Sequence, residues 1–140
     1  MSETLRIRQM AAMDAEVVAT LAGELGYPNE VEAIRTRIRA IGESDLLLLA
    51  LDAGDKAIGF IQAHRVCIIE VGLRVEILGL VVSSSARRSG IARRLIEEAE
   101  TWAKNIGADA ISSAKQYQTD RGPPFLPSLR LQEDKDAGGV

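Results

Sequence analysis

The sequence predicts one mixed α/β domain, an α+β arrangement with helices on both faces of a largely antiparallel sheet. Three observations lead there. The 140 residues suit a single domain, and 46% of them are apolar, enough to fill a core. Apolar residues recur with a period of two, or in short unbroken runs, at five places; at three others the period is helical. These segments follow one another as β-α-α-β-β-β-α-β, which packs as a sheet layered with helices.

Thr4 to Arg8 alternates, with Leu5 and Ile7 against Arg6 and Arg8, and reads as a short strand. Asp14 opens a helix whose apolar positions are Val17, Val18, Leu21 and Leu25. Gly26 and Pro28 end it, since Gly past a helix end and a following Pro stop helices. Asn29 is the expected cap of a second helix, with Val31, Ile34, Ile38 and Ile41 on one face and Gly42 at its close. Asp45 to Leu51 is nearly all leucine, as a strand buried on both faces would be. Asp52 to Lys56 is a hairpin turn, and Ala57 to Val66 the next strand. Cys67 to Arg74 is expected to be a loop or wider hairpin, and Val75 to Val82 a strand. A helix from about Gly90 to Asn105 would bury Ile91, Leu95, Ile96, Ala99 and Trp102 and stop at Gly107. Ala108 to Ser112 is a last short strand.

Composition narrows the functions. Aromatic residues are only 4%, so aliphatic side chains must fill the core. A net charge of −3 gives no reason to expect nucleic acid or an anionic membrane as partner. Cys67 is the sole cysteine, which excludes an internal disulfide and suits a reducing, cytoplasmic compartment. No apolar signal core opens the sequence, and no run approaches the roughly 20 apolar residues of a membrane span. The spacing of Asp, Glu, His and Cys suggests no metal site.

The chemistry concentrates between Val75 and Ala92, VEILGLVVSSSARRSGIA. An apolar strand leads into small polar residues, two arginines and Gly90, and a helix pattern starts at once. The first turn of a helix has N–H groups without partners, and its dipole adds partial positive charge. Gly90 lets a ligand approach the backbone. Arg87 and Arg88 add charge that can pair with phosphate. The stretch is not a Walker loop, since no Gly-Lys-Ser/Thr follows, and it holds one of the three glycines of a dinucleotide fingerprint. On local chemistry alone, an anion site and a plain structural turn stand side by side.

Arg87, Gly90 and Ala92 form R-x-x-G-x-A after a strand and before an amphipathic helix. This resembles the acetyl-CoA motif, Q/R-x-x-G-x-G/A, of the GNAT superfamily of N-acetyltransferases. The resemblance covers about residues 4 to 112. It implies the GNAT fold and transfer of acetyl from acetyl-CoA, as co-substrate, to a primary amine by direct attack in a ternary complex. It implies that N–H groups from Arg87 through Arg88, Ser89, Gly90 and Ile91 to Ala92 bind the pyrophosphate. Backbone groups near Val81 and Val82 would orient the cofactor and polarise its carbonyl. In the family the strand before the motif and the strand after its helix splay apart, and the pantetheine arm lies between them.

Such a reaction needs a neutral amine, a polarised carbonyl and alignment of the two. Glu76 is the base candidate. It lies fourteen positions before Gly90, where some members of the family carry a catalytic glutamate. The ordinary reading is an outward strand residue, or one paired with Arg74. His64 is a second candidate, because imidazole titrates near neutrality; a lone strand histidine is ordinarily structural or exposed. Glu70 could bind a cationic amine from a substrate-side loop. Cys67 lacks the His–acid pattern of a nucleophile.

After Ser112 the pattern ends. Pro123, Pro124 and Pro127 break any helix, and the family's tyrosine-bearing helix and closing strands are not visible. Tyr117 has no motif around it. Residues 1–112 therefore read as the GNAT-like domain, and 113–140 as an atypical tail. Read one base on from about the codon of Ser113, permitted codons give VRSNIKRTEAHRFYPALGYKKTKTQ, which resembles the missing family segment. A frameshifted C-terminus explains this; an ordinary divergent, disordered tail is the alternative. An incomplete sheet would leave an unpaired edge, which leaves room for a homodimer. The acceptor is a small-molecule or protein amine, and no motif selects between them. A chain impaired by its tail would instead be a non-catalytic CoA-binding protein.

Overall fold

In the computed structural model, residues 5–113 are described. Of the expected frameshifted or disordered tail, 113–140, Ser113 ends the last strand and the rest lies outside the described residues. Strands β1 (Arg6–Gln9), β2 (Asp45–Leu51), β3 (Ala57–Ile68), β4 (Gly72–Val82) and β5 (Ala110–Ser113) form one sheet in the order β1-β2-β3-β4-β5. The first four pair antiparallel; β5 joins β4 in parallel. Helices α1 (Ala15–Glu24) and α2 (Val31–Ala40) precede β2, and α3 (Ile91–Asn105) links β4 to β5. A parallel neighbour requires a crossover, and α3 supplies it.

The sheet divides the core in two. One side packs Ile61, Ala63, Val75, Ile77 and Leu80 under α3. From α3, Ile91, Leu95, Ala99 and Ala103 are all buried, a spacing of four that lays one stripe of the helix on the sheet. Ile96 and Trp102 are only partly covered at its margin. The other side packs Leu49, Leu51, Phe60 and Val81 under Ala15, Val18 and Leu21 of α1 and Ile34 of α2. Every fully buried large side chain among the described residues is aliphatic. Beneath the N-terminus of α3 lies Gly59. A Cβ there would stand 2.9 Å from the Val81 carbonyl oxygen and 3.4 Å from Ile91 Cγ2, so the glycine lets the helix settle on β3.

Arg8 and Asp14 join β1 to the start of α1. The guanidinium donates to both carboxylate oxygens at 2.9 Å, and the Ala11 N–H donates at 2.8 Å. Asp14 is almost buried. The Arg8 hydrogen bond holds its carboxyl below the ordinary range, against the opposing effect of burial.

Some local expectations change. The cap of α2 is Glu30 rather than Asn29; Asn29 instead donates to the Tyr27 carbonyl and accepts from Arg37. Val17 faces outward at 39% exposure, because the buried stripe of α1 runs through Ala15, Val18, Leu21 and Ala22. The stretch 67–74 is mostly strand: β3 runs to Ile68 and β4 starts at Gly72, whose φ of 95° closes the turn. No helix among the described residues is long and apolar enough to cross a membrane.

Candidate functional site

Strand β4 does not run evenly. Gln62 faces Gly79 in β3–β4 register, but Ala63 faces Ile77, so Leu78 is an extra residue, a β-bulge. The bulge reverses the alternation of faces. Before it Val75 and Ile77 point to α3; after it Leu80 does, and Val81 packs under α1 and α2. Pairing with β5 covers Arg74 to Ile77 and stops there. Among the described residues, positions 78–82 have no partner on the side away from β3. Alternate N–H groups of an antiparallel strand point to that side. Val81 and Val82 therefore lie on a strand end with one edge open, as an extended ligand requires.

The turn after β4 is built from its serines. Buried Ser83 accepts from the Ser85 N–H through its side chain and donates its own N–H to the Ile58 carbonyl at 2.8 Å. The Ser84 N–H donates to Glu24 Oε1 at 3.1 Å, tying the end of α1 to this turn. Arg87 is extended; Arg88 then takes φ 69°, a left-handed conformation that costs a residue with a side chain about 1–2 kcal/mol. Ser89 bonds through its hydroxyl to the Ala86 carbonyl. Gly90, at φ 87°, is the N-cap of α3.

This arrangement fits a pyrophosphate. Gly90 has no side chain with which to cap the helix. The first helical bond runs from the Arg94 N–H to the Gly90 carbonyl at 3.1 Å, so the N–H groups before it have no helical acceptor. A Cβ on Gly90 would meet nothing within 4 Å, so the space before the helix is open. The first turn holds no acidic residue; Arg87 and Arg88 precede it in the chain and Arg93 and Arg94 lie within it. The dipole, the N–H groups of the first helical turn and the guanidinium groups all favour an anion, although the Ser89 N–H is already bonded to the Ala86 carbonyl at 3.3 Å. An open cleft of about 610 Å³ adjoins the loop, lined by Ser89, Gly90, Ile91 and Arg94 on one side and by Asp52 and Gly54 of the β2–β3 turn on the other. Asp52 accepts from the Lys56 and Gly54 N–H groups at 2.9 Å each; these bonds, Lys56 first, hold its carboxyl below the ordinary range. The sequence pointed to Arg87 and Arg88. Arg94 as a lining residue follows only from the helical turn that places it beside Gly90.

Glu76 stands apart, before the bulge. It faces His64 of β3 and Ser112 of β5 in register, is half-buried, and makes no ion pair with Arg74 among the described residues. His64 Nδ1 lies 2.5 Å from Asp45 Oδ1, and Gln62 Nε2 donates to Asp45 Oδ2 at 2.8 Å. Sequence reasoning did not connect Asp45 or Gln62 to any site. Glu70 sits in the short β3–β4 turn, and Cys67 is exposed. No three His, Cys, Asp or Glu side chains gather as a metal would need among the described residues.

Comparison with known proteins identifies the family. Residues 11–122 match the model of the Acetyltransferase (GNAT) family. Among solved structures, a GNAT family acetyltransferase of Staphylococcus aureus superposes with a TM-score of 0.72 at 26% identity, over 82% of this chain and 87% of that one. The aminoglycoside 6'-N-acetyltransferase AAC(6')-Ih of Acinetobacter baumannii shares the fold, with TM-score 0.71 and 22% identity over 84% and 82%. The aminoglycoside N-acetyltransferase AAC(6')-Iy, solved in complex with CoA, gives 0.69 and 26% over 79% and 76%. Among curated protein sequences no match is found. With four-fifths of its length matched by the family model, the chain belongs to the GNAT family of acetyltransferases.

Proposed function

We propose that this acetyltransferase moves an acetyl group from acetyl-CoA to a primary amine, by direct attack within a ternary complex. The observation that carries the reading is the left-handed Gly90 cap, with open space before it and a first helical turn whose N–H groups have no helical acceptor, near the end of an open-edged strand. When bound, acetyl-CoA supplies the thioester carbonyl that the amine attacks. The N–H groups from Arg87 to Ala92 hold the pyrophosphate, and Arg87 and Arg88 neutralise it. Backbone groups at Val81 and Val82 orient the extended arm. Donors fixed in a folded strand need no reorganisation as charge develops on the carbonyl oxygen. Glu76, across the bulge, takes the proton of the amine through water.

Acceptors of the aminoglycoside kind, or a protein amino group, both suit this scheme. Two of the structures that share the fold at the identities given are aminoglycoside acetyltransferases. The exposed, unpaired Cys67 accords with a reducing, cytoplasmic setting.

Calorimetric titration with acetyl-CoA tests the cofactor site. One-to-one binding by the wild type is expected, and Gly90→Glu should abolish it. That substitution sets a carboxylate before the helix and forces a side chain into φ 87°. A folded Gly90→Glu protein that binds as the wild type does would refute the assignment.

A further inference from the structure

Across the sheet, four polar side chains stand in one row, which ends at Ser112 of β5 beside Glu76. Asp45 of β2 faces His64 of β3, and His64 faces Glu76 of β4. Register partners share a face, with Cβ atoms about 4.5–5.5 Å apart. The row lies on the α1–α2 side, because Leu49 and Phe60, in phase with Asp45 and His64, belong to that core. It sits beyond the end of that core, where His64 keeps 36% of its side chain exposed.

Asp45 is held on both oxygens. Its side chain is only 7% exposed; Oδ1 meets His64 Nδ1 at 2.5 Å and Oδ2 accepts from Gln62 Nε2 at 2.8 Å. A carboxylate can only accept, so the imidazole must present Nδ1–H to it. That fixes the tautomer, and the lone pair is left on Nε2. A cross-strand staple would need only the hydrogen bond. A buried carboxylate orienting a half-exposed imidazole, next in register to Glu76, supplies more: an oriented base with a compensating charge behind it.

We propose that Asp45 and His64 complete the proton path that starts at Glu76, Asp45 as positioning residue and His64 Nε2 as the group that receives, through a shared water, the proton Glu76 draws from the amine. This rests on the amine-acetylation reading above. An N–H bond of the ammonium breaks and the proton reaches Nε2, giving an imidazolium against the Asp45 carboxylate. The neutral amine then attacks the thioester carbonyl carbon. The C–N bond forms, the C–S bond breaks, and the second amine proton goes to the departing sulfur. Imidazolium returns its proton to solvent.

Around His64, Asp45 comes from β2, and Glu76 and Arg74 from β4, Arg74 being in phase with Glu76 and opposite Val66. Arg65 is its exposed neighbour in β3. The charged residues of α1, which packs on this face, are Glu16 and Glu24, both exposed, with Glu24 bound to the Ser84 N–H; those of α2, which packs there too, are Glu32, paired with Arg35, Arg37, bonded to Asn29, and Arg39. Helix α3 lies on the opposite face.

His64 is the only histidine, so its ring nitrogens can be read without ambiguity by ¹⁵N NMR on the full chain. The Nδ1–H tautomer is expected in the wild type and the Nε2–H tautomer in Asp45→Asn; Nε2–H in the wild type would overturn the positioning role. Acetyl transfer is then followed against pH with kanamycin, spermine and a lysine-containing peptide as acceptors. His64→Gln keeps a donor for Asp45 but cannot take a proton. It should lower kcat about 10²-fold, leave KM for acetyl-CoA unchanged, and remove the acid limb of the pH–rate profile. A His64→Gln protein that matches the wild type in rate and profile overturns the proton role alone. A wild type that binds acetyl-CoA yet acetylates none of the three overturns the amine-transfer reading, and the proton role with it.

Discussion

Gly59 and Gly79 offer a matched test of how α3 is seated. Both lie in adjacent strands of the same sheet. At Gly59 an added Cβ would stand 2.9 Å from the Val81 carbonyl oxygen, 3.4 Å from Ile91 Cγ2 and 3.6 Å from Leu95 Cδ1; at Gly79 it would meet nothing within 4 Å. Carbon–oxygen contacts between strands settle at about 3.3–3.6 Å, so Gly59→Ala is too close by about 0.4 Å. The crowded atom belongs to the backbone and cannot rotate away. Overpacking of this kind costs about 1–3 kcal/mol. Replacing Gly by Ala returns about 0.5–1 kcal/mol through the unfolded chain. The balance is a loss of about 1–2 kcal/mol for Gly59→Ala and a gain of up to about 1 kcal/mol for Gly79→Ala. At about 4 °C per kcal/mol for a domain of this size, the two melting temperatures should differ by about 6–12 °C. Thermal unfolding followed by circular dichroism measures this directly. Because Ile91 opens α3, Gly59→Ala should also weaken acetyl-CoA binding at temperatures where it remains folded. Equal melting temperatures for the two variants would refute the account of how the helix is seated.

Three other outcomes are expected. Leu95→Ala empties the centre of the α3 stripe, where the side chain is fully buried, and should cost about 3 kcal/mol in urea unfolding. Asp14 titrates lower in the folded protein than in the unfolded chain, so its contribution is fully present above about pH 4 and lost as pH falls through the folded value. Asp14→Asn should therefore lower stability at pH 7 and flatten its dependence below about pH 4. The gene around codon 113 should, one base on, encode the closing family segment; codons that do not yield it end the frameshift hypothesis.

Much of the fold was legible because hydrophobic periodicity reports burial. Strand β2 matched its expected bounds, since a run of leucines ending in Asp52-Ala-Gly leaves little choice. The α3 stripe was legible through Ile91, Leu95 and Ala99, and the turn that opens the helix through Gly90. What escaped was register. A tight hairpin that pairs Leu51 with Ala57 would, if continued evenly, set Asp45 opposite Ala63. The irregularity between Ala50 and Leu51 shifts the pairing by one and brings His64 there instead. No pattern in the sequence announced it, nor the bulge at Leu78, because a bulge shows only in the partner's count. The cap of α2 was misplaced by one residue for a similar reason: Asn29 can bond to the Tyr27 carbonyl as readily as to a helix end.

The shift at Ala50 and Leu51 also bears on how this sequence can vary over time. Surface turns ordinarily gain and lose residues freely. Here the turn at 52–56 acts as a phase setter for everything downstream in β3. Deleting one residue there, if β3 slid by one, would turn Ile61 and Ala63 out of the α3 core and carry His64 away from Asp45. Lineages that keep the histidine are therefore expected to keep the length of this turn, while its side chains drift.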